Sequence, residues 1–370
     1  MEGKLILPTN WDPALLKRIA ALRPAYIYGS LATERTLRAP VVLPEVTERG
    51  VACHVREAAA GGTRFVYVMN ATCLGNKEFS EEGRWELLQR FEWLRGMGAA
   101  AVVTANPYLM ELLRQNFPDL EVHVSVLAGV NDPRKARFFR DLGAAVIHLD
   151  PQVNRDFNRL KAIRKAVDCA LSALVNEGCL LSCPIREYHA NMISHAAESM
   201  EGRYYVDYCY YRCSISRGAD PAEYLRAPWI RPEDVEVYEA IGIDYFKIAG
   251  REKMGEGPSS HTDWIVKAAR AYAARRSQDV AELLVGTQAV EALFGDTAPA
   301  PRVRIESGRL EGFLRFFQEG RCLGDCTACD YCARWAEGAV RVRGGAGPYL
   351  RQLESDLQRI RLGSYWAGTR

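Results

Sequence analysis

Eight of the eleven cysteines fall into two sets of four. The stretch RCLGDCTACDYCARW, residues 321–335, holds Cys322, Cys326, Cys329 and Cys332 as C-x3-C-x2-C-x2-C. Upstream, NEGCLLSCPIREYHANM and YVDYCYYRCSISRG place Cys179, Cys183, Cys209 and Cys213 as two C-x3-C pairs. Structural zinc takes two cysteine pairs separated by about a dozen residues or more, so that two turns close a tetrahedron around one ion. An iron–sulfur cube is larger than one ion, and successive loop turns of a C-x2-C-x2-C run can reach its corners. The late set is therefore expected to hold an iron–sulfur cluster, with zinc as the alternative. In ferredoxin-type runs one thiol can serve a different cluster, so all four need not share one. For the early set, two pairs parted by a helix, spacing alone does not decide between zinc and a cluster. Cys53, Cys73 and Cys169 stand alone and read as core or loop thiols.

The other chemistry-bearing residues are sparse. There are six histidines, at 54, 123, 148, 189, 195 and 261. A serine or cysteine peptidase needs a nucleophile beside a base that a third group holds. No nucleophile-elbow or HExxH signature accompanies these histidines. His189 reads as a helix-surface residue or as a group that contacts substrate or supports the metal site. Arg186, His189, Asn191, Lys247 and Arg251 are expected to converge beside the Cys179–Cys213 site as catalytic groups. Cations and donors together suit an anionic substrate, because charge-assisted bonds to carboxylate or phosphate are strong.

One unit recurs in the elements that must carry these residues: an amphipathic helix, a glycine and a short apolar strand. It occurs as FEWLRGMGAAAVVTA (91–105), RFFRDLGAAVIHLD (137–150) and VYEAIGIDYFKIAG (237–250), with a weaker copy at 15–29. Gly98, Gly143 and Gly242 stand where a helix end needs a left-handed residue. Further strands are expected at Lys4–Leu7, Arg64–Met69, Glu121–Leu127 and Cys169–Val175, and helices at 80–95, 107–116, 133–142 and 154–167. About eight strands alternating with helices in the first 250 residues predict a TIM-like (β/α)8 barrel, with a doubly wound open sheet as the alternative. In a barrel the working residues sit at the C-terminal strand ends. Here those ends carry Asn70, Asn106, Asp150, Asn176, Glu177, Lys247 and Arg251. The barrel is expected over residues 1–275, followed by a small helical, cysteine-rich region over 276–370.

Hydrophobic residues make up 48% of the 370 and charged residues 25%, enough for a sizeable core and against wholesale disorder. A net charge of +2 argues against a broad nucleic-acid surface. No apolar run approaches the roughly 20 residues of a membrane span. The opening MEGKLILPTNWDPALL is not expected to act as a secretory signal. The expected location is the cytoplasm, where thiols stay reduced and cysteine sets point to metal or redox chemistry.

LVNEGCLLSCPIREYHAN, the Cys209/Cys213 pair and PEDVEVYEAIGIDYFKIAGRE resemble the peptidase U32 family, the collagenase-like proteases. The opening KLILPTNWDPALLKRIAALRPAYIYGS is similar to the family's first β-α-β unit, and the likeness covers roughly residues 4–275. It implies a barrel-like fold with a cysteine-ligated [4Fe–4S] cluster. Relatives of this kind perform oxygen-independent hydroxylations of a quinone precursor or of RNA bases, and others are called peptidases or linked to peptide processing. Where the family often has Lys-Ile-Glu-Gly-Arg, this chain has Lys247-Ile248-Ala249-Gly250-Arg251, without the acid.

These readings combine into an iron–sulfur enzyme with two [4Fe–4S] clusters, zinc being an alternative at one site. Its step is an oxygen-independent hydroxylation or another redox or atom transfer on a small organic, RNA or peptide substrate. An electron-donor protein or a paired family member is the expected partner. A peptidase or peptide-processing protein is one alternative, and an electron-transfer or scaffold subunit another. A radical-SAM reading of Cys322, Cys326 and Cys329 conflicts with their place, since that motif normally follows the first barrel strand.

Overall fold

The computed structural model describes residues 1–34, 36, 45–196, 207–250, 258–285, 301–344 and 346–363. Eight parallel strands close into a barrel in sequence order, β1 (Leu5–Pro8), β2 (Tyr26–Gly29), β3 (Arg64–Val68), β4 (Ala101–Thr104), β5 (Glu121–Val124), β6 (Ala144–His148), β7 (Ala170–Leu174) and β8 (Tyr245–Lys247). Closure is made by Leu5 beside Phe246 and Ile6 beside Lys247.

Side-chain alternation sorts the strands into two apolar layers. Ile6, Tyr26, Tyr28, Val66, Val68 and Val103 fill the lumen. Leu7, Ile27, Phe65, Tyr67, Val102 and Ile147 face outward into the main core, beneath the helices. The first six helices are α1 (Pro13–Ala20), α2 (Glu48–Ala60), α3 (Glu81–Gly96), α4 (Pro107–Asn116), α5 (Pro133–Asp141) and α6 (Phe157–Ala166). Asp12, Asn106 and Asp132 each cap a helix whose first residue is proline, accepting from backbone N–H groups of the first turn. Gly98, Gly143 and Gly242 do take positive φ, 87°, 92° and 95°, where the chain leaves a helix for the next strand.

The alternation breaks once. Val122 pairs with Ala144 but His123 pairs with Val146, so β6 carries one extra residue, a β-bulge. Ala144 and Ile147 both face the outer core although three positions apart. The bulge thereby turns His148 into the lumen, where its ring lies 5.7 Å from that of His123.

After β7 the chain makes α7 (Arg186–Ala196), α8 (Tyr208–Ala219), the short α9 (Glu223–Arg226) and α10 (Val235–Ile241), then β8 and α11 (Pro258–Ala273). The region expected to be helical contains α12 (Arg315–Gln318), α13 (Tyr331–Ala339) and α14 (Ala346–Arg361). It also holds an antiparallel pair, β9 (Arg302–Ile305) with β10 (Val340–Arg343). Ile305, Leu310, Phe313, Phe317 and Ala339 belong to the same continuous core as the barrel's outer layer. Tyr349, Leu353 and Leu357 of α14 pack with Tyr211 of α8. No described helix is long and apolar enough to cross a membrane.

Candidate functional site

The early cysteines come from two elements at the C-terminal end of the barrel. Cys179 and Cys183 lie on the loop after β7, and Cys209 and Cys213 on α8. Asp207 caps α8 by accepting from the Tyr210 N–H at 2.8 Å. Helical spacing then puts Cys209, Cys213 and Arg217 on one face. The loop is tied locally: Glu177 Oε1 accepts from the Cys179 N–H at 3.2 Å, and Gln152 Nε2 donates to the Leu180 carbonyl at 3.4 Å.

Arg217 joins the two elements. Its side chain is 2% exposed, donates to the Gly178 carbonyl at 3.1 Å and lies 3.5 Å from Cys213 Sγ. Burial pushes all three of the most enclosed thiols up. For Cys179 the Glu177 carboxylate and Cys213 add to it, and for Cys209, raised to about 12, Asp207, Cys213 and Cys183 do. Cys213 is raised by burial too, while the Arg217 guanidinium opposes the shift. The four thiols are thus near enough to feel one another's charge. Left as they are, Cys179, Cys209 and Cys213 hold their protons, so a metal must displace them. Among the described residues no three His, Cys, Asp or Glu side chains stand close enough to hold one metal ion.

The expected catalytic groups divide. Arg186 lies 3.4 Å from Asp150 and faces Glu177, Cys179 and Cys183, the negative surroundings holding its guanidinium charged. His189 Nε2 is 3.0 Å from Asp207, the residue that caps the cysteine helix. Arg186 thus borders the thiols, and His189 reaches the cysteine helix through Asp207. Asn191 turns away, its Oδ1 accepting from Thr72 Oγ1 at 2.6 Å beyond β3. Lys247 points into the lumen, 4.5 Å above the Tyr28 ring. Arg251 lies outside the described residues.

Of the other strand-end residues, Glu177 stands beside Cys179 and Asp150 pairs with Arg186, whereas Asn106 caps α4 and Asn176 holds loops. The Asn176 side chain donates to the Ala249 and Leu283 carbonyls and accepts from the Ala249 N–H. One hydroxyl–imidazole contact, Thr9 Oγ1 with His54 Nε2 at 2.7 Å, has the form of a nucleophile and base. Thr9 is 2% exposed, and burial lowers His54 to about 4, so the pair offers a peptide neither access nor a useful base.

The late cysteines lie on the outer side of the barrel, where α13 packs on α9 and α12 on α6. Tyr331 stacks on Phe316 at 4.0 Å and on Phe313 at 5.6 Å, and its hydroxyl donates to the Phe313 carbonyl. Asp325 Oδ1 gathers the N–H groups of Thr327 and Ala328 and so shapes the turn between Cys322 and Cys329. Burial raises Cys332 to about 11, with the Arg155 guanidinium opposing and Cys326 and Cys322 adding. Arg155 is buried beneath the set, over the rings of Trp229, Phe313 and Phe317 at 5.0–5.2 Å, and donates to the Leu225 carbonyl. Arg226 and Glu223 of α9 act on Cys326 from the barrel side. Sequence reasoning passed over Arg155 and Arg217, because a lone arginine between polar residues looks like surface. The four-residue step from Cys213 to Arg217 was the available signal.

The model of peptidase family U32 matches residues 43–294. The uncharacterized protease MJ1657 of Methanocaldococcus jannaschii is 32% identical over 295 residues, 79% of this chain and 82% of that protein. The solved structure of the U32 peptidase Mk0906 is similar at 27% identity with a TM-score of 0.52, covering 70% of this chain and 95% of that one. With the barrel, the cysteine-bearing loop after β7 and these likenesses together, the chain belongs to peptidase family U32.

Proposed function

We propose that this U32 protein is an iron–sulfur enzyme with one [4Fe–4S] cluster held by Cys179, Cys183, Cys209 and Cys213 and a second by Cys322, Cys326, Cys329 and Cys332. The observation that supports the reading is that four thiols from two separate elements lie at the barrel's C-terminal end, with half-buried Arg186 and buried Arg217 beside them. Metal-ligating thiolates bring negative charge into a buried place, and paired guanidiniums offset it. The residues therefore fit such a group at the mouth. At the second set Arg155 and Arg226 supply the same offset.

A bound cluster supplies one-electron chemistry there without oxygen. The chain's own residues do the rest. Arg186, held by Asp150, presents a fixed cation to an anionic substrate group. His189, oriented by Asp207, is placed to give or take a proton at Nε2 or Nδ1. The step is an oxygen-independent hydroxylation or another redox or atom transfer on a small organic, RNA or peptide substrate. The late set relays electrons from a donor protein.

Anaerobic purification with iron and sulfide counts and EPR tests the reading. Iron and sulfide for two cubes is expected, and stoichiometric zinc alone would overturn it. The Methanocaldococcus relative is named a protease, which favours peptide hydrolysis as a second reading. Cleavage of peptides by the metal-free chain would favour that one.

A further inference from the structure

The barrel lumen holds a polar layer that the proposed chemistry leaves unused. His148 is the last residue of β6, Ser172 is its register partner on β7, and Lys247 is the last residue of β8. His123 of β5 adjoins His148 ring to ring, with Tyr26 at 5.0 Å on its other side. His148, His123 and Ser172 are 1%, 0% and 0% exposed. Among the described residues neither ring nitrogen of His148, nor Nδ1 of His123, nor Oγ of Ser172 has a hydrogen-bond partner. Buried polar atoms are nearly always paired, since an unmade bond forfeits the whole cost of leaving water.

Their placement is specific. The bulge in β6 is what turns His148 inward; an unbroken alternation would leave it on Ala144's outward face. Bulges of this kind re-aim side chains next to active sites. His148 and Lys247 end their strands on the C-terminal side, where barrel proteins bind their ligands, and Ser172 and His123 lie further inside β7 and β5. Burial lowers both imidazoles, with the Lys247 charge adding at each and Glu121 opposing at His123; His123 spends its N–H on the Glu121 carboxylate at 3.3 Å, while neutral His148 keeps one N–H to donate. The lumen thus holds the Lys247 ammonium, the His148 imidazole N–H and the Ser172 hydroxyl, with Glu121 engaged by Arg64 and His123 below them.

We propose that His148, Ser172 and Lys247 form a ligand site in the lumen for a small oxyanion, the carboxylate or phosphate end of a small metabolite. The ammonium supplies charge, and the hydroxyl and imidazole fix direction. This site stands whatever the cysteines hold, so failure of the cluster reading leaves it untouched.

The test is a titration of the full chain, labelled with 15N-histidine, with acetate and separately with inorganic phosphate, against chloride at equal ionic strength. A saturable shift of the His148 and His123 ring signals, with exposed His195 unmoved, supports the site. Acetate alone acting identifies a carboxylate, and phosphate alone a phosphate group. Ser172→Ala should weaken the binding about tenfold, as loss of one hydrogen bond does. His148→Gln, which keeps an N–H donor, should retain more affinity than His148→Phe. No saturable shift with either anion, an equal response to chloride, or unchanged affinity in Ser172→Ala overturns the proposal.

Discussion

The two cysteine sets are built by opposite means. The mouth set is assembled from a loop and a helix that only tertiary structure brings together, and a buried arginine ties them. The outer set is local, four thiols in one turn-rich stretch laid on a platform of Phe313, Phe316 and Tyr331. The mouth set borders Glu177 and Asp207, with His189 held by Asp207 and Asp150 by Arg186, a surrounding suited to proton transfer. The outer set borders rings and guanidiniums, and exposes Leu323 at 90%. Polar groups that can exchange protons mark a place for chemistry, and an aromatic bed marks a place for holding or passing charge. The lesson is that equal donor sets differ in role through their neighbours.

The sharpest way to break this comparison is Cys183→Ala. Activity should vanish and EPR should lose the mouth cluster, while the outer cluster's signal persists. Equal loss of both signals in a folded chain would make them one shared site.

Histidine protonation should act on the barrel alone, because residues 276–370 contain no histidine. Burial holds His54 at about 4 against an ordinary 6.5, with the Asp12 charge opposing only in part. The unfolded chain therefore binds the extra proton between those values. Stability is intact above pH 6.5 and falls as pH drops toward 4, by about 3 kcal/mol for this group. His148 and His123, lowered by burial, act with the same sign. Urea unfolding at pH 7 and pH 4.5 measures it, and His54→Gln should flatten the slope in that window.

Arg217→Met leaves the Gly178 carbonyl without its donor and cuts the tie between loop and helix. A loss of about 2 kcal/mol is expected, with iron lost from the mouth and kept outside. Iron content and thermal unfolding of the purified variant decide it. A loss confined to the outer set would reverse the assignment.

The smallest effect should be Cys326→Ala. The platform under the outer set shares the barrel's core, so the region does not depend on metal for its fold. The expected cost is about 1 kcal/mol, a few degrees in unfolding midpoint, with the outer EPR signal gone and the mouth signal kept. Collapse of residues 301–363 to protease attack would show that metal, not packing, holds them.

Much of the barrel was legible because punctuation and periodicity agreed. Asn106 with Pro107 opens α4 where expected, and the three glycines end their helices as expected. Helix α8 was harder, since YCYYRCSISRGA buries Cys209, Tyr211, Ser214 and Arg217 and shows little apolar stripe. Strands β9 and β10, RVRI and VRVR, are short and arginine-rich, and only their pairing reveals them. The thiols themselves were plain from spacing. Their arginine partners were not, because burial of a cation is a tertiary fact. The register slip in β6 likewise has no mark in AAVIH.

The closure of the barrel has a consequence in time. Strand β1 is synthesised first, yet its second neighbour is β8, which leaves the ribosome after seven other strands. Until then β1 exposes one row of backbone donors and acceptors, an invitation to wrong partners. Contacts so distant along the chain are closed late and slowly. The loop with Cys179 and Cys183 and the helix with Cys209 and Cys213 emerge just before β8. The thiols are therefore all outside while the barrel is still open, and the last strand to dock shuts the mouth around whatever they have bound.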